Sequence, residues 1–186
     1  MLAMTTMDTI APFELLRKLE SRSKQTAIGL PEQAEAVQLW NGVGFSLAGL
    51  RFVVAMGEVV EILHLPKATQ VPGVKSWMHG VANVRGRLLP VMDLGQFFKL
   101  PAQSRAMREK RVLIIEQDDF FSGLIVDGVL GMQYFPVTSH TTATSGLTDS
   151  VQRCVSGSYV RDDTHWHVFE TSALLADSSF VEIASG

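Results

Sequence analysis

Two linked small β-barrels behind a helical extension are the architecture that this sequence predicts. From residue 42 onward, apolar residues alternate with polar or small ones over short runs, which is typical of half-buried strands. Glycines and aspartate pairs mark tight turns between these runs, and the pattern of runs occurs twice along the chain. Many short strands joined by tight turns favour small barrels, so we expect a mainly β protein.

The composition is that of a folded protein. Of 186 residues, 46% are hydrophobic and 19% are charged, which argues against extensive disorder. Apolar runs fall far short of the roughly 20 residues that a membrane span needs, and the N-terminus lacks a signal-peptide pattern. We therefore expect a cytoplasmic protein with no direct membrane insertion. The single cysteine, Cys154, excludes an internal disulfide, and without cysteine pairs a thiolate zinc site is not expected.

The charge balance does not favour nucleic acid. The formal net charge is -3, so no overall positive field attracts phosphates. Residues 101–111 form a polar and basic connector between the two halves of the chain, and its basic residues are interpreted as solvent-facing: Arg105, Arg108, Lys110 and Arg111.

The helical extension covers residues 1–41. A first helix starts with Pro12 in its first turn and places four apolar residues on one side: Phe13, Leu15, Leu16 and Leu19. A second helix is predicted after Pro31, running to Leu39 before a break at Asn41 and Gly42. The apolar side of the first helix either docks on its own domain, which we favour, or binds a partner helix.

Strands account for most of the remaining chain. Turn signals lie near Gly49, at Gly86, at Asp118–Asp119 and at Asp162–Asp163. They separate period-two runs at residues 43–47, 52–56, 81–85, 88–92, 112–116, 123–126, 158–161 and 166–169.

An internal repeat organises these strands. Residues 50–66 align without gaps on residues 120–136, and residues 89–98 match residues 166–175 in pattern. Each copy predicts a strand, a second strand, a short helix, a strand hairpin and a helix. Two copies are too few for a solenoid. The predicted domain therefore spans residues 42–175, with repeats at about 43–100 and 111–175, a Ser/Thr-rich loop with little core potential at 138–153, and a C-terminal tail at 176–186.

Residues that could carry catalysis have structural interpretations. His165 and His167 share one strand face, which can hold a metal, but no third ligand is evident and exposed histidines are favoured. Asp93 precedes Gln96 by three residues, which is typical of a helix capping box, although a hydrolase using Asp93 and Asp127 is an alternative. A buried, unreactive thiol is favoured for Cys154. We expect no enzyme activity, no cofactor and no metal.

The polar cluster at residues 83–87, Asn-Val-Arg-Gly-Arg, lies between two apolar strands. It is either a solvated hairpin tip or a binding element. Arg85 near a strand end presents a planar fork of donors suited to a carboxylate or to backbone carbonyls. Glu61, expected in the short helix of the same repeat, can pair with Arg85 and fix that fork.

A small barrel that binds oligonucleotides is a more distant alternative. Such a barrel carries aromatic and basic residues interleaved on one sheet face. Only Phe52 beside Arg51 hints at this arrangement.

Three motifs resemble the CheW-like family of chemotaxis coupling proteins. Residues 80–98, GVANVRGRLLPVMDLGQFF, resemble its signature, residues 58–63 its V-x-E-I segment and residues 123–129 its G-L-x-V-D-x-V strand. The resemblance implies two intertwined five-stranded SH3-like β-barrels without catalysis. It also implies an adaptor that bridges the cytoplasmic tip of a methyl-accepting chemoreceptor and the regulatory domain of a CheA-type histidine kinase in a membrane-associated array.

Within the family, the chain looks most like the members that serve type IV pili and twitching motility. Residues 12–16, 30–37 and 72–77 resemble the N-terminal extension and central loop of that branch. The implied partners are a PilJ-like receptor and a ChpA-like kinase. A flagellar coupling protein is the alternative.

The resemblance also assigns a receptor-binding region. Arg85 matches the family arginine of the receptor groove, Glu61 the glutamate that pairs with it, and Val59, Asn83 and Gly86 belong to the same region. Residues 161–167 are more polar than is usual in the family, and residues 138–153 are lengthened. No kinase-binding residues are assigned for that reason.

Overall fold

A computed structural model describes residues 12–26, 38–102, 109–117, 120–144 and 146–184. The chain divides into two units, residues 1–37 and residues 38–186. In the first unit, helix α1 (Pro12–Thr26) begins with proline as predicted, because the first turn of a helix does not need that N–H. Residues 31–37 of the second predicted helix lie outside the described residues. Its predicted end is wrong, since Leu39 opens a strand and pairs with Pro136.

The second unit is mainly β. Among the described residues, no helix is long and apolar enough to cross a membrane. The elements in chain order are β1 (Leu39–Leu47), β2 (Leu50–Ala55), β3 (Val59–His64), β4 (Met78–Val84), β5 (Arg87–Asp93), α2 (Leu94–Phe97), β6 (Arg111–Gln117), β7 (Phe120–Val126), β8 (Gly128–Pro136), β9 (His140–Thr141), α3 (Asp149–Gln152), β10 (Val155–Arg161), β11 (Thr164–Phe169), α4 (Thr171–Ala176) and α5 (Ser178–Val181).

The strands form two sheets that exchange strands between the halves of the chain. One sheet has the order β8-β1-β2-β11-β10-β9 and is called barrel A; the other has the order β3-β6-β7-β5-β4 and is called barrel B. Each contains one parallel pair, β2 with β11 and β5 with β7. Both sheets draw strands from both halves, so the predicted fold of two intertwined SH3-like barrels is confirmed.

Each barrel closes on itself in the same way. In barrel A, a 3-10 turn (Val137–Ser139) leads from β8 into β9, which pairs with β10. In barrel B, the chain after β3 turns back so that Thr69 pairs with Val81 of β4. The sixth strand of barrel A is thus a short continuation of β8.

The internal repeat corresponds to equivalent strands. Residues 50–66 contain β2 and β3, and residues 120–136 contain β7 and β8. Both segments are two strands, so the short helix predicted in each repeat is wrong. Val59, Ile62 and Leu63 have helix-like spacing, but β3 gains a full antiparallel ladder with β6, and its β-branched residues suit that surface.

Three hydrophobic clusters hold this unit together. The central cluster lies between the sheets and contains residues of both, including Phe45 and Phe52 from barrel A and Leu113 from barrel B. The cluster inside barrel B is aliphatic: Ala82, Leu89, Val91, Val112, Ile114 and Ile125. The cluster inside barrel A is mostly aromatic: Val53, Phe135, Tyr159, Trp166 and Val168, with Trp40 packed against it.

Two segments contribute more to the core than their sequences indicate. Residues 138–153 contain β9 and α3, and Val151 is completely buried in the central cluster. The prediction of little core potential there is wrong, because one turn of helix suffices to bury one apolar side chain. In the predicted tail, Phe180 of α5 is completely buried and stacks on Trp77 with ring centroids 5.4 Å apart.

Candidate functional site

The hairpin tip between β4 and β5 has a strained arginine. Arg85 and Gly86 form its two-residue turn with φ of 51° and 82°, the geometry of a type I′ turn, whose twist matches the flanking strands. Glycine adopts this left-handed backbone conformation freely, whereas for a residue with a side chain the conformation is unfavourable by about 1–2 kcal/mol. Asn83 Oδ1 accepts a hydrogen bond from the Gly86 N–H at 2.9 Å and holds the turn. Such strain at an exposed arginine points to a functional requirement.

Arg85 pairs with Glu61. Its Nη2 donates to Glu61 Oε1 at 2.6 Å, with the arginine side chain 78% exposed and the glutamate 25% exposed. The ion pair expected from the sequence is therefore present. A guanidinium has five N–H donors, and this is the one hydrogen bond that Arg85 makes to the described residues. The fork is thus oriented while most of its donors remain open to a partner.

A β-bulge separates Glu61 from Val59. Glu61 lies opposite Ile114, and Val59 lies opposite Ile115, with the register shifting between them. Ile115 belongs to the central cluster and Ile114 to the interior of barrel B. Val59 is therefore half-buried and packs on the central cluster. The apolar residue that lines the surface beside Arg85 is instead its neighbour, Val60. The structure brings Arg85, Glu61, Asn83 and Gly86 together, but not Val59.

A groove of about 180 Å³ begins at this ion pair. We call it the barrel-B groove. It has two Arg–Glu pairs, Arg85–Glu61 and Arg87–Glu116, and four apolar residues line the rest: Val60, Val84, Ile114 and Phe121.

The second ion pair was not assigned a role from the sequence. Arg87 Nη2 and Nη1 donate to the two carboxylate oxygens of Glu116 at 2.8 and 3.3 Å, and the guanidinium lies 3.7 Å from the ring centre of Phe121. The hydrogen bonds from Arg87 lower the pKa of Glu116. Arg87 belongs to the 83–87 motif, but Glu116 and Phe121 come from β6 and β7, which sequence order does not place beside it.

The carboxylates considered for hydrolysis serve local structure. Asp93 accepts from the Gln96 N–H at 3.0 Å and from Lys110 Nζ at 3.1 Å. It is the N-cap of α2 as predicted, although its own N–H donates to the Trp77 carbonyl and leaves the capping box half-formed. Asp127 Oδ2 accepts from the Ala48 N–H at 2.7 Å and holds the turn between β1 and β2.

The thiol and the two histidines have different environments. Cys154 is buried as predicted, and burial raises the pKa of its thiol to about 11. His165 is exposed, but His167 is 2% exposed, so the prediction of exposure is wrong for His167. The residue lies opposite Phe52, on the face of the sheet that packs on the central cluster. In the described part of the chain, no three potential ligands group into a metal site.

The fold and this groove define a class of protein: a two-barrel domain with an exposed, oriented arginine at one hairpin tip. The model of the CheW-like domain family matches residues 41–179. The chain belongs to the CheW-like domain family.

Its relatives include Protein PilI of Pseudomonas aeruginosa, 46% identical over 95% of this chain and 98% of that protein. Chemotaxis protein CheW of Bacillus subtilis is 31% identical over 59% of this chain and 67% of that protein. Among solved structures, the scaffolding protein TtCheW of Thermoanaerobacter tengcongensis matches with a TM-score of 0.67 and 24% identity, over 78% of this chain and 97% of that one. That likeness establishes the fold alone.

Proposed function

We propose that this chain is a noncatalytic adaptor that couples a methyl-accepting chemoreceptor to a CheA-type histidine kinase in a cytoplasmic, membrane-associated array. The observation that carries the proposal is Arg85, held at a strained turn, oriented by Glu61 and left 78% exposed. A residue selected only for the stability of this turn would be asparagine, aspartate or glycine, which type I′ turns favour. The open donors of Arg85 fit carbonyl or carboxylate groups of a receptor tip.

The receptor face that we propose is the Arg85 end of the barrel-B groove, with Glu61, Asn83 and Gly86 supporting the arginine. Val59 contributes indirectly, by packing the base of β3 on the central cluster. Coupling then consists of contacts that differ between receptor states and alter the geometry of the bound kinase.

The similarity to PilI supports a role in a type IV pilus pathway, with a PilJ-like receptor and a ChpA-like kinase controlling twitching motility. It extends over 95% of the chain, including the N-terminal segment, whereas the similarity to the Bacillus subtilis CheW covers 59%. A flagellar chemotaxis role is the alternative within the family. The oligonucleotide-binding alternative loses its support, because Phe52 is completely buried and cannot stack on a base.

Calorimetric titration tests this proposal. The full-length protein is titrated with the cytoplasmic tip of a PilJ-like receptor and, separately, with the regulatory domain of a ChpA-like kinase. Arg85→Ala is expected to weaken receptor binding by about 1–3 kcal/mol, the usual range when a desolvated acceptor loses its hydrogen-bond partner, and to leave kinase binding unchanged. Asp162→Ala, at the equivalent tip of barrel A, is the matched control and should bind the receptor like the parent.

The possible results of these titrations have different meanings. Saturable binding to both partners, weakened only on the receptor side by Arg85→Ala, supports the adaptor and locates its receptor face. Equal weakening by Arg85→Ala and Asp162→Ala contradicts that location. The absence of binding to either partner by the folded protein rejects coupling to these partners.

A further inference from the structure

A pair of arginines lies at the open end of barrel A, near the turns at residues 48–49 and 162–163. Arg51 of β2 lies opposite Trp166 of β11 in parallel register, so both side chains are on the same face of the sheet. The guanidinium carbon of Arg51 is 5.4 Å from the ring centre of Trp166, and that of Arg161 is 5.1 Å from it. Two exposed cations therefore share one buried indole ring.

Among the described residues, neither arginine has a carboxylate partner. The ion pairs between described residues involve Arg85, Arg87 and Lys110, and none of these pairs involves Arg51 or Arg161. Arg161 Nη2 donates to Gln133 Oε1 at 2.5 Å, and Gln133 in turn donates to the Leu130 carbonyl at 2.7 Å. The amide thus holds Arg161 in place without neutralising it.

The indole ring that the two arginines share has an unusual donor. Trp166 is 2% exposed, and its indole N–H has no hydrogen-bond partner among the described residues. A buried donor without an acceptor is unfavourable, because the group loses the hydrogen bond that it makes to water in the unfolded chain. The groups that a partner can reach are the exposed guanidinium N–H donors of Arg51 and Arg161, which call for an acceptor, and a carboxylate is the acceptor that matches a guanidinium best.

The packing around the indole is fixed. A Cβ atom at Gly44 would lie 2.8 Å from both Gln133 Cγ and Trp166 Cζ3, a distance too short for a real contact. Bare backbone at Gly44 therefore lets Gln133 and Trp166 lie against β1. The donors are held by a packed barrel end and not by a loose surface.

We propose that this end of barrel A is a carboxylate-binding site that receives a glutamate or aspartate side chain from an acidic segment of a partner protein. The site is separate from the receptor face at Arg85 and does not depend on the coupling role. A planar carboxylate accepts two parallel hydrogen bonds from a guanidinium fork. It also gains from the aromatic surface beside the arginines, since Arg161 lies 5.1 Å from the Phe135 ring as well.

The adjacent turn limits the charge that the site can attract. Asp162 and Asp163 form that turn beside the two arginines, so the four side chains together have no net formal charge. A carboxylate is therefore recognised by the guanidinium fork, which matches its two oxygens, and not by an overall positive field.

Nuclear magnetic resonance of the indole N–H group tests the site. Full-length protein labelled with ¹⁵N is titrated at constant ionic strength with a capped Gly-Glu-Gly peptide, inorganic phosphate or chloride. The Trp166 signal is assigned by its loss in Trp166→Phe. A saturable shift with the peptide is expected, about tenfold weaker in Arg51→Ala or Arg161→Ala. The matched control, Arg85→Ala with Arg87→Ala, should titrate like the parent.

Three results would overturn the inference: a Trp166 shift that is linear and equal for peptide and chloride, equal weakening by the control pair, or phosphate saturating at concentrations well below the peptide. Far-ultraviolet circular dichroism verifies that each variant is folded. Should Arg161→Ala unfold, Arg161→Lys replaces it, since lysine keeps the charge but lacks the fork, and weaker peptide binding by that variant supports the site.

Discussion

The two hairpin tips that the internal repeat makes equivalent carry opposite charges. Arg85–Gly86 joins β4 to β5, and Asp162–Asp163 joins β10 to β11. All four residues have φ between 50° and 82°, so both turns have the same backbone geometry. The barrel architecture thus determines the turn, while the residues placed there determine which partner it can meet.

The open ends of the two barrels differ in a related way. At barrel B, Arg85 and Arg87 are each paired with a glutamate. At barrel A, Arg51 and Arg161 lie against the Trp166 ring and form no ion pair with a described carboxylate, although Asp162 and Asp163 form the adjacent turn. The arginines of one end are held by carboxylates and those of the other by an aromatic ring, so the same fold offers two faces with different chemistry.

The largest loss of stability is expected when an aromatic residue inside barrel A is replaced. Phe135 is completely buried and contacts Trp40, Tyr159 and Trp166. Phe135→Ala is expected to lower the free energy of unfolding by about 3–5 kcal/mol, because the cavity lies among rigid rings that cannot collapse into it. Urea denaturation measures the change. Leu130→Ala, at an exposed position of the same strand, should change it by less than about 0.5 kcal/mol, and a comparable loss there would contradict the comparison.

The tip of barrel B should become more stable when its arginine is replaced. Arg85→Asn creates Asn-Gly, a favoured type I′ sequence. Relief of the backbone strain exceeds the loss of an exposed ion pair, so the free energy of unfolding should rise by about 0.5–1 kcal/mol while receptor binding falls. Thermal and urea unfolding measure stability, and calorimetry measures binding. A less stable variant would show that the Arg85–Glu61 ion pair contributes more to stability than the strain of the turn removes.

The tip of barrel A should respond in stability alone. Asp163→Gly relieves a left-handed aspartate with φ of 56°. The expected gain is about 0.5 kcal/mol, smaller than for most residues because aspartate tolerates this region. Urea denaturation measures it, with Thr164→Ala in the adjacent strand as the control. Weaker receptor binding by Asp163→Gly would contradict the claim that only the Arg85 tip contacts the receptor.

The smallest expected effect is a pH dependence confined to barrel A. Burial, with a smaller contribution from His165, lowers the pKa of His167 below its ordinary 6.5. In the unfolded chain His167 takes up a proton near pH 6.5, whereas in the folded chain it does so only at lower pH. The free energy of unfolding therefore falls as the pH drops below 6.5. His167→Gln should flatten this part of the stability profile, while His64→Gln at an exposed position should not. If the free energy of unfolding of His167→Gln depends on pH as steeply as that of the parent, His167 is not the group that takes up the proton.

Much of the fold was predictable because strands and turns leave local signals. Alternation located β1, β2, β5 and β11, and the repeat aligned equivalent strands across the two barrels. β3 was misassigned because its apolar spacing fits a helix as well as a strand, and only pairing with β6 decides between them. Val151 was missed because the core position of a single helical turn depends on the whole chain.

The candidate site was only partly predictable. The 83–87 motif and Glu61 gave the first ion pair, but the bulge that turns Val59 away leaves no local signal. His165 and His167 share a face, yet their burial differs because one lies near the strand end and the other beside Phe52. The arginines around Trp166 come from β2 and β10, and only the closed barrel brings them together.

The most direct test of the coupling proposal is assembly of the three components. The receptor tip, this protein and the kinase regulatory domain are mixed, and the receptor-bound fraction of kinase domain is measured by sedimentation. Kinase domain should sediment with the receptor only when the parent protein is present, far less with Arg85→Ala, and normally with Asp162→Ala. Kinase domain that sediments equally well without this protein, or equally with Arg85→Ala, would contradict an adaptor that acts through the Arg85 face.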